Sequence, residues 1–317
     1  MKDTALIIGA NGQIGTALFA ELSTIFGADS VVACDIRGTE TQNGIFEQLD
    51  ATDFPALVQV IKKYKVTHIY HLAAILSAKG ESDPVWAWNI NIQTLLNVLE
   101  AARGNNVRKV FIPSSIAVFG KSAPVWNTPQ SSYLDPVTVY GVSKVATENW
   151  CNYYFNKYKL DVRSLRYPGV ISYETMPGGG TTDYAIEMYH KAVQGREYTC
   201  FLDQESRLPM IYMADAIRAT VELMGTTEEN VKIRTSYNIA GLSFTPAELQ
   251  NSIRAYFPEF SCVFKPDFRQ DIAASWPKVI DDSVAADHWG WKPQYNLSQM
   301  SEVMIRNLQV NYRKTAL

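Results

Sequence analysis

A doubly wound parallel sheet with helices on both faces and a smaller C-terminal lobe (an α/β, Rossmann-type fold) is the architecture this sequence predicts. Three features predict it. A short apolar run passes through three spaced glycines straight into a helical pattern, a carboxylate ends the next apolar run, and short apolar segments alternate with longer amphipathic ones through about residue 112. At 317 residues the chain can bury one large α/β core or two unequal lobes, and its 47% hydrophobic and 19% charged content is ordinary for a globular protein.

The first run, Thr4-Ala-Leu-Ile-Ile8, is continuous rather than alternating, as expected of a strand covered on both faces. Gly9-Ala-Asn-Gly12-Gln-Ile-Gly15 follows, and a helix is expected to about Phe26. Gly9 permits the tight turn, Gly12 lets the backbone approach a pyrophosphate, and Gly15 allows close helix–strand packing. Asn11, Gln13 and Ile14 lie within the same turn and join the expected dinucleotide site, because the helix N-terminus offers unpaired N–H groups to phosphates. Ser30-Val-Val-Ala-Cys34 reads as the second strand, ending at Asp35. A carboxylate there accepts ribose hydroxyls and repels a 2′-phosphate, which argues for NAD over NADP, whereas Arg37 could accommodate that phosphate. Ile36 falls between them.

Leu49-Asp50-Ala51-Thr52-Asp53 closes a third strand and opens a helix, with Asp53 as N-cap and Asp50 either within reach of the adenine or a loop carboxylate in water. Val66 to Leu72 is the next strand, and Ala73 and Ala74 after it are small enough for a cofactor to lie close. Ile75 to Asp83 reads as a loop at the carboxyl end of the sheet, Pro84 to Gly104 as a helix holding Asn89 and Asn91, and Val107 to Ile112 as a strand. In Tyr140-Gly-Val-Ser-Lys144 the tyrosine and lysine share one helix face. A phenol with a pKa near ~10 is too weakly acidic to act as a base at neutral pH, and a neighbouring ammonium lowers it. Ser115 ends the run Phe111-Ile-Pro-Ser-Ser115 and could meet Tyr140 across a cleft; Ser114 is its competitor, since alternation sends only one of the pair inward, and it is expected, with Ile36 and Leu72, at the cofactor site.

After a strand at Asp161 to Arg166 the alternation weakens, through Tyr167-Pro168 and a glycine-rich stretch from Met176 to Thr182. Helical (Tyr184–Gly195, Pro246–Tyr256) and strand-like (Pro209–Met213, Ser236–Ala240) pieces follow. The expected division is a nucleotide-binding domain of 1–168 with about 207–245, and a capping lobe of about 169–206 with 246–317.

Composition narrows the function classes. A net charge of −3 without a basic patch gives no support to nucleic-acid binding. Cys34, Cys151, Cys200 and Cys262 are scattered and read as free thiols in a reducing compartment. His68, His71, His190 and His288 form no H-E-x-x-H pattern, so no metal site is expected. The chain enters a strand directly after Met1-Lys2-Asp3 and has no apolar run of the ~20 residues needed to span a bilayer, so a soluble cytoplasmic protein is expected.

The glycine spacing, Asp35, Ser115 and Tyr140-x-x-x-Lys144 together resemble the extended short-chain dehydrogenase/reductase superfamily, which includes nucleotide-sugar epimerases and dehydratases. Leu165 to Tyr184, Leu208 to Asp215 and Ser275 to Asp282 are similar to its zinc-free L-threonine 3-dehydrogenases. That resemblance implies oxidation of the L-threonine β-hydroxyl to L-2-amino-3-oxobutanoate with NAD. It gives Tyr140 the role of base and Lys144 that of ribose ligand and pKa modulator. Ser115 is selected over Ser114 to hold the reacting oxygen, with Tyr167 and Pro168 at the nicotinamide. For the substrate it points to Ser77, Gly180, Thr181, Thr182 and Trp276, and it implies a homodimer. Two rivals stay open: a nucleotide-sugar epimerase or dehydratase, which would bring basic residues to the stretch from Met176 to Thr182, and a non-catalytic NAD-binding sensor, which would tend to lack the base.

Overall fold

Ala5–Ile8 (β1) is apolar throughout because both its faces are covered: Ala5 and Ile7 enter one core, Leu6 and Ile8 another. The computed structural model describes residues 2–38, 44–176 and 178–315, so Met1 of the N-terminal stretch and Pro177 of the glycine-rich stretch lie outside the described residues. After β1 come α1 (Gln13–Phe26), β2 (Val31–Asp35), β3 (Ile45–Gln48), α2 (Phe54–Tyr64), β4 (His68–His71), the single turn α3 (Ser77–Gly80) and α4 (Pro84–Gly104). Next are β5 (Lys109–Phe111), β6 (Ser114–Ser115), α5 (Val139–Tyr158), β7 (Asp161–Arg163), β8 (Leu165–Tyr167) and β9 (Gly169–Ile171). The chain continues with α6 (Tyr184–Val193), β10 (Tyr198–Cys200), β11 (Leu208–Tyr212), α7 (Met213–Gly225), β12 (Tyr237–Asn238), β13 (Leu242–Phe244) and α8 (Pro246–Arg254). It closes with β14 (Cys262–Phe264), α9 (Arg269–Ala274), α10 (Ser283–Trp289) and α11 (Leu297–Thr315).

The main sheet is parallel throughout, in the order β3-β2-β1-β4-β5-β7. Strand order reverses between β1 and β4, which opens a crevice above their carboxyl ends. On one face Leu57 and Ile61 of α2, Leu95 and Leu99 of α4 and Tyr154 of α5 form the core; on the other, Leu18 and Leu22 of α1 meet Ile217 and Leu223 of α7. A third core joins Met188 of α6, Leu249 of α8, and Met300, Met304 and Leu308 of α11. Among the described residues no helix is long and apolar enough to cross a membrane.

The elements depart from the sequence expectation in two places that matter for the site. The stretch read as a loop from Ile75 to Asp83 contains α3. The strand read from Asp161 to Arg166 is two strands: β7 ends the main sheet, whereas β8 pairs with β6 and β12 in a small separate sheet. Pro113 breaks the β5–β6 side of the same level, since it has no N–H for the ladder. Its carbonyl is thereby left to a side chain, and Lys144 Nζ takes it at 2.7 Å. The break places the Ser114–Ser115 pair at the mouth of the crevice rather than inside the sheet.

Candidate active site

The glycine turn is shaped by contact with the backbone. Gly9 has φ +87°, and a Cβ on it would stand 2.7 Å from the Ala73 nitrogen; a Cβ on Gly15 would stand 2.4 Å from the Gly9 carbonyl oxygen. Gly12 is the N-cap of α1 without any side-chain cap, and no acidic residue occupies the first turn. The N–H groups at this helix end are thus available to an anion. Gln13 Nε2 is buried beside them without a partner among the described residues. These features fit a dinucleotide pyrophosphate.

Asp35 lies where β2 ends. Its Oδ2 accepts from Asn11 N at 3.0 Å and its Oδ1 from Arg37 N at 3.1 Å, which fixes the carboxylate at the rim of a cavity of about 390 Å³. Arg37 Nε is 3.8 Å from the same carboxylate, with the guanidinium largely in solvent. Gly9, Gly12, Ile36, Arg37, Asp50, Leu72, Ala73 and Ala74 line this cavity with Asp35. Asp50 Oδ1 accepts from both the N and Oγ1 of Thr52 at 2.8 Å, so the side chain is held in a local turn with its other oxygen open. Asn11 and Gly15 line neither this cavity nor the next; Asn11 ties the turn to Arg37 O through Nδ2, and Gly15 packs beneath it.

Leu72 and Ala74 also line the adjoining cavity, of about 160 Å³, where the remaining singled-out residues gather. Gln13, Ile14, Ser114, Ser115, Tyr140, Lys144, Tyr167 and Pro168 meet Ser77, Gly180, Thr181, Thr182 and Trp276 there. Thr138 caps α5 by accepting from Gly141 N at 3.1 Å, and Glu81 Oε1 accepts from Val139 N at 2.9 Å. Tyr140 therefore sits in the first helical turn and Lys144 one turn deeper. Ser115 Oγ accepts from Ala117 N at 3.2 Å and shares the cavity with the Tyr140 phenol, whose pKa it works to lower. Ser114 faces the other way: its Oγ donates to Glu148 Oε1 at 2.6 Å, inside a buried bidentate pair between Glu148 and Arg166.

The ammonium of Lys144 lies 5.5 Å from the Tyr140 ring centroid. Burial brings its pKa down to about 8. The expectation that Lys144 lowers the Tyr140 pKa does not hold in this structure. Burial pushes the phenol up to about 12, and the opposing influence is the Ser115 hydrogen bond. Four residues along a helix bring the two side chains together, but the ammonium is anchored on the Pro113 carbonyl.

The end of this cavity lined by Ser77 and Thr181 is held by long-range contacts. Ser77 Oγ and Thr181 Oγ1 are 3.3 Å apart and both buried. Asn91 grips Ile75 from α4, with Oδ1 accepting from Ile75 N at 2.8 Å and Nδ2 donating to Ile75 O at 3.1 Å, which holds the segment carrying Ser77. Sequence reasoning passed over Asp183, Leu76 and Trp86, which line these cavities. Asp183 stands directly after Thr182, and its position in that polar string was the available signal. Among the described residues no group of three or more His, Cys, Asp and Glu side chains is placed to hold a metal ion.

Comparison with known proteins agrees with this geometry. The family model described as "NAD dependent epimerase/dehydratase family" matches residues 5–240. An uncharacterized epimerase/dehydratase of Staphylococcus aureus is 44% identical over 309 residues, covering 96% of either chain. A structure titled "GalE-like L-Threonine dehydrogenase from Cupriavidus necator (holo form)" superposes with a TM-score of 0.95 at 51% identity, over 96% of this chain and 99% of that one. A partial consensus L-threonine 3-dehydrogenase gives 0.96 at 51% identity, over 97% and 99%.

Proposed function

The chain belongs to the NAD-dependent epimerase/dehydratase family, and we propose that its reaction there is oxidation of the L-threonine β-hydroxyl to L-2-amino-3-oxobutanoate. One observation carries this reading. Ser115, Tyr140 and Lys144 share a cavity whose other end is lined by Ser77, Gly180, Thr181 and Thr182, with Lys144 as the basic side chain among the lining residues. A nucleotide sugar would bring a second diphosphate and call for cations there, whereas a small amino acid is served by hydroxyls and amide N–H groups. The similarity to L-threonine dehydrogenases supports the same choice.

Tyr140 Oη takes the proton of the substrate hydroxyl as the phenolate, a form that burial alone disfavours and that the positive charge of a bound oxidised nicotinamide would favour. Ser115 Oγ hydrogen-bonds the same oxygen and fixes its distance from the base. NAD, when bound, supplies the acceptor for the Cβ hydrogen and its electron pair. The Gly9–Gly15 turn and the N-terminus of α1 would hold its pyrophosphate, Asp35 its adenosine ribose, and Lys144 its nicotinamide ribose. Asp35 disfavours a 2′-phosphate, which supports NAD over NADP. Lys144, with a pKa brought to about 8, is poised to exchange a proton near neutral pH. The first turn of α5 adds its positive helix end to the surroundings of a Tyr140 phenolate. No step needs a metal.

The test is NADH appearance with L-threonine or L-serine, together with product analysis of UDP-glucose incubated with NAD, each with and without chelator. Oxidation of L-threonine that resists chelation is expected. Turnover of UDP-glucose alone, or loss of activity with chelator, would overturn the reading.

A further inference from the structure

Outside the catalytic cleft, α1 and α7 form the walls of a separate groove, completed by the segment that follows β9 and by the turn before α11. Its volume is about 530 Å³, and it shares no lining residue with either cavity described above. A hollow of that size suits a small organic molecule. Tyr173, Tyr212 and Tyr295 line it, the last two with ring centroids 4.6 Å apart and planes tilted by 58°. Among the described residues, no hydrogen bond is made to the three hydroxyls and no lysine or arginine lies over the three rings. Arg306 of α11 acts on Tyr173 and Tyr212 through its charge but does not line the groove.

The charge of the groove points the same way. Two carboxylates, Glu21 of α1 and Glu174, border the rings, and neither side chain has an ion pair or hydrogen bond among the described residues. Burial holds the Glu174 carboxyl above its usual pKa, with no cation opposing it. Arg218, the basic side chain among the lining residues, is committed elsewhere: it pairs with Asp215 at 2.9 Å and Glu222 at 2.8 Å and stacks over Trp291 at 4.6 Å. Aromatic rings attract a cation through their electron-rich faces, and a carboxylate without a partner supplies the counter-charge. An anion would meet both carboxylates, and a neutral molecule would cover them without pairing them. We propose that this groove binds a small organic cation, an alkylated ammonium held among the tyrosine rings with Glu174 and Glu21 as its counter-charge. The site takes no part in the reaction given above and does not depend on it.

The experiment compares choline with its neutral carbon isostere, 3,3-dimethylbutan-1-ol, which has the same shape without the charge. Each is titrated at constant ionic strength into the full chain as wild type, Tyr295→Leu and Glu174→Gln, with binding followed by saturation transfer to the methyl groups. Leucine keeps apolar bulk but has no ring, and glutamine keeps the shape of the carboxylate without its charge. The expected result is saturable binding of choline by wild type, with the isostere and each variant at least about fivefold weaker. NADH binding, which reports a folded chain, should change by less than about twofold in either variant. Absence of saturation by about 50 mM choline would overturn the proposal. Equal affinity for the isostere would make the groove a general apolar surface and overturn it as well. A variant that binds choline as wild type does would place the cation elsewhere, with the same consequence. Should either variant lose NADH binding, Tyr173→Leu or Glu21→Gln takes its place in the same comparison.

Discussion

The two ends of the cleft are built by opposite means. The cofactor end is local: Gly9 to Gly15 and Asp35 belong to one β1-α1-β2 unit, and its ligand groups are largely backbone N–H held open by glycine. The substrate end is assembled from distant parts of the chain. Ser77 meets Thr181 across 104 residues of sequence, and Trp276 arrives from just beyond α9. Short-range geometry suffices to present phosphate donors, so that end tolerates change around it. The substrate end depends on packed cores and buried polar links that hold three separate segments in register. The proposed chemistry sits at the seam between the two, where Pro113 breaks the sheet and Tyr140 and Ser115 share the cavity.

The largest effect expected from breaking this division comes at the seam. Tyr140→Phe should reduce kcat for L-threonine by ~10²–10⁴-fold, the span of a lost general base. NADH affinity, followed by fluorescence titration, should stay within about twofold, because the phenol belongs to the chemistry and not to the cofactor end. Normal turnover would remove Tyr140 from the mechanism.

Glu148→Ala strikes the scaffold of the seam. It leaves Arg166 buried without its carboxylate and frees Ser114. Breaking a buried pair in this way should cost about 3–5 kcal/mol of stability in denaturant unfolding. A loss below about 1 kcal/mol would show that the pair is not what holds β8 and α5 together.

His71 tests the sheet beneath the crevice. It is 4% exposed with Nδ1 unpartnered among the described residues, and burial brings its pKa down to about 3. The unfolded chain therefore binds more protons between pH 3 and 6.5, so this residue's contribution falls as pH falls through that window. Between pH 7 and 4.5 the loss should be about 2–3 kcal/mol. His71→Leu should flatten the pH dependence of unfolding by that amount; equal slopes for wild type and variant would contradict it.

The smallest effect is expected at the outer rim of the cofactor end. Asp35→Ala should weaken NAD more than NADP, shifting the preference about tenfold toward NADP. An unchanged ratio of Michaelis constants would place the discriminating acid elsewhere.

How far the sequence could be read follows the same division. The β1-α1-β2 unit, the Asp53 cap and the Pro84–Gly104 helix are legible because each depends on a few neighbouring residues: Asp53 accepts from Ala56 N, and Asp83 caps the helix that Pro84 opens. The split of β7 from β8 is not legible, since no glycine or proline stands between Arg163 and Leu165 and only pairing with Tyr237 and Asn238 separates them. Alternation alone leaves Ser114 and Ser115 unresolved; Glu148, thirty-four residues away, shows which one turns inward. The ionisation of Tyr140 is not legible for a related reason. Spacing reports that Lys144 is near, while burial and the Pro113 carbonyl, both tertiary, decide what the ammonium does.

The most direct measurement uses L-threonine carrying deuterium at Cβ, with the reduced cofactor examined by NMR after one turnover. Oxidation at that carbon predicts one deuteron in the reduced nicotinamide ring and none in solvent. Deuterium retained in the amino acid, or released to water, would contradict the account.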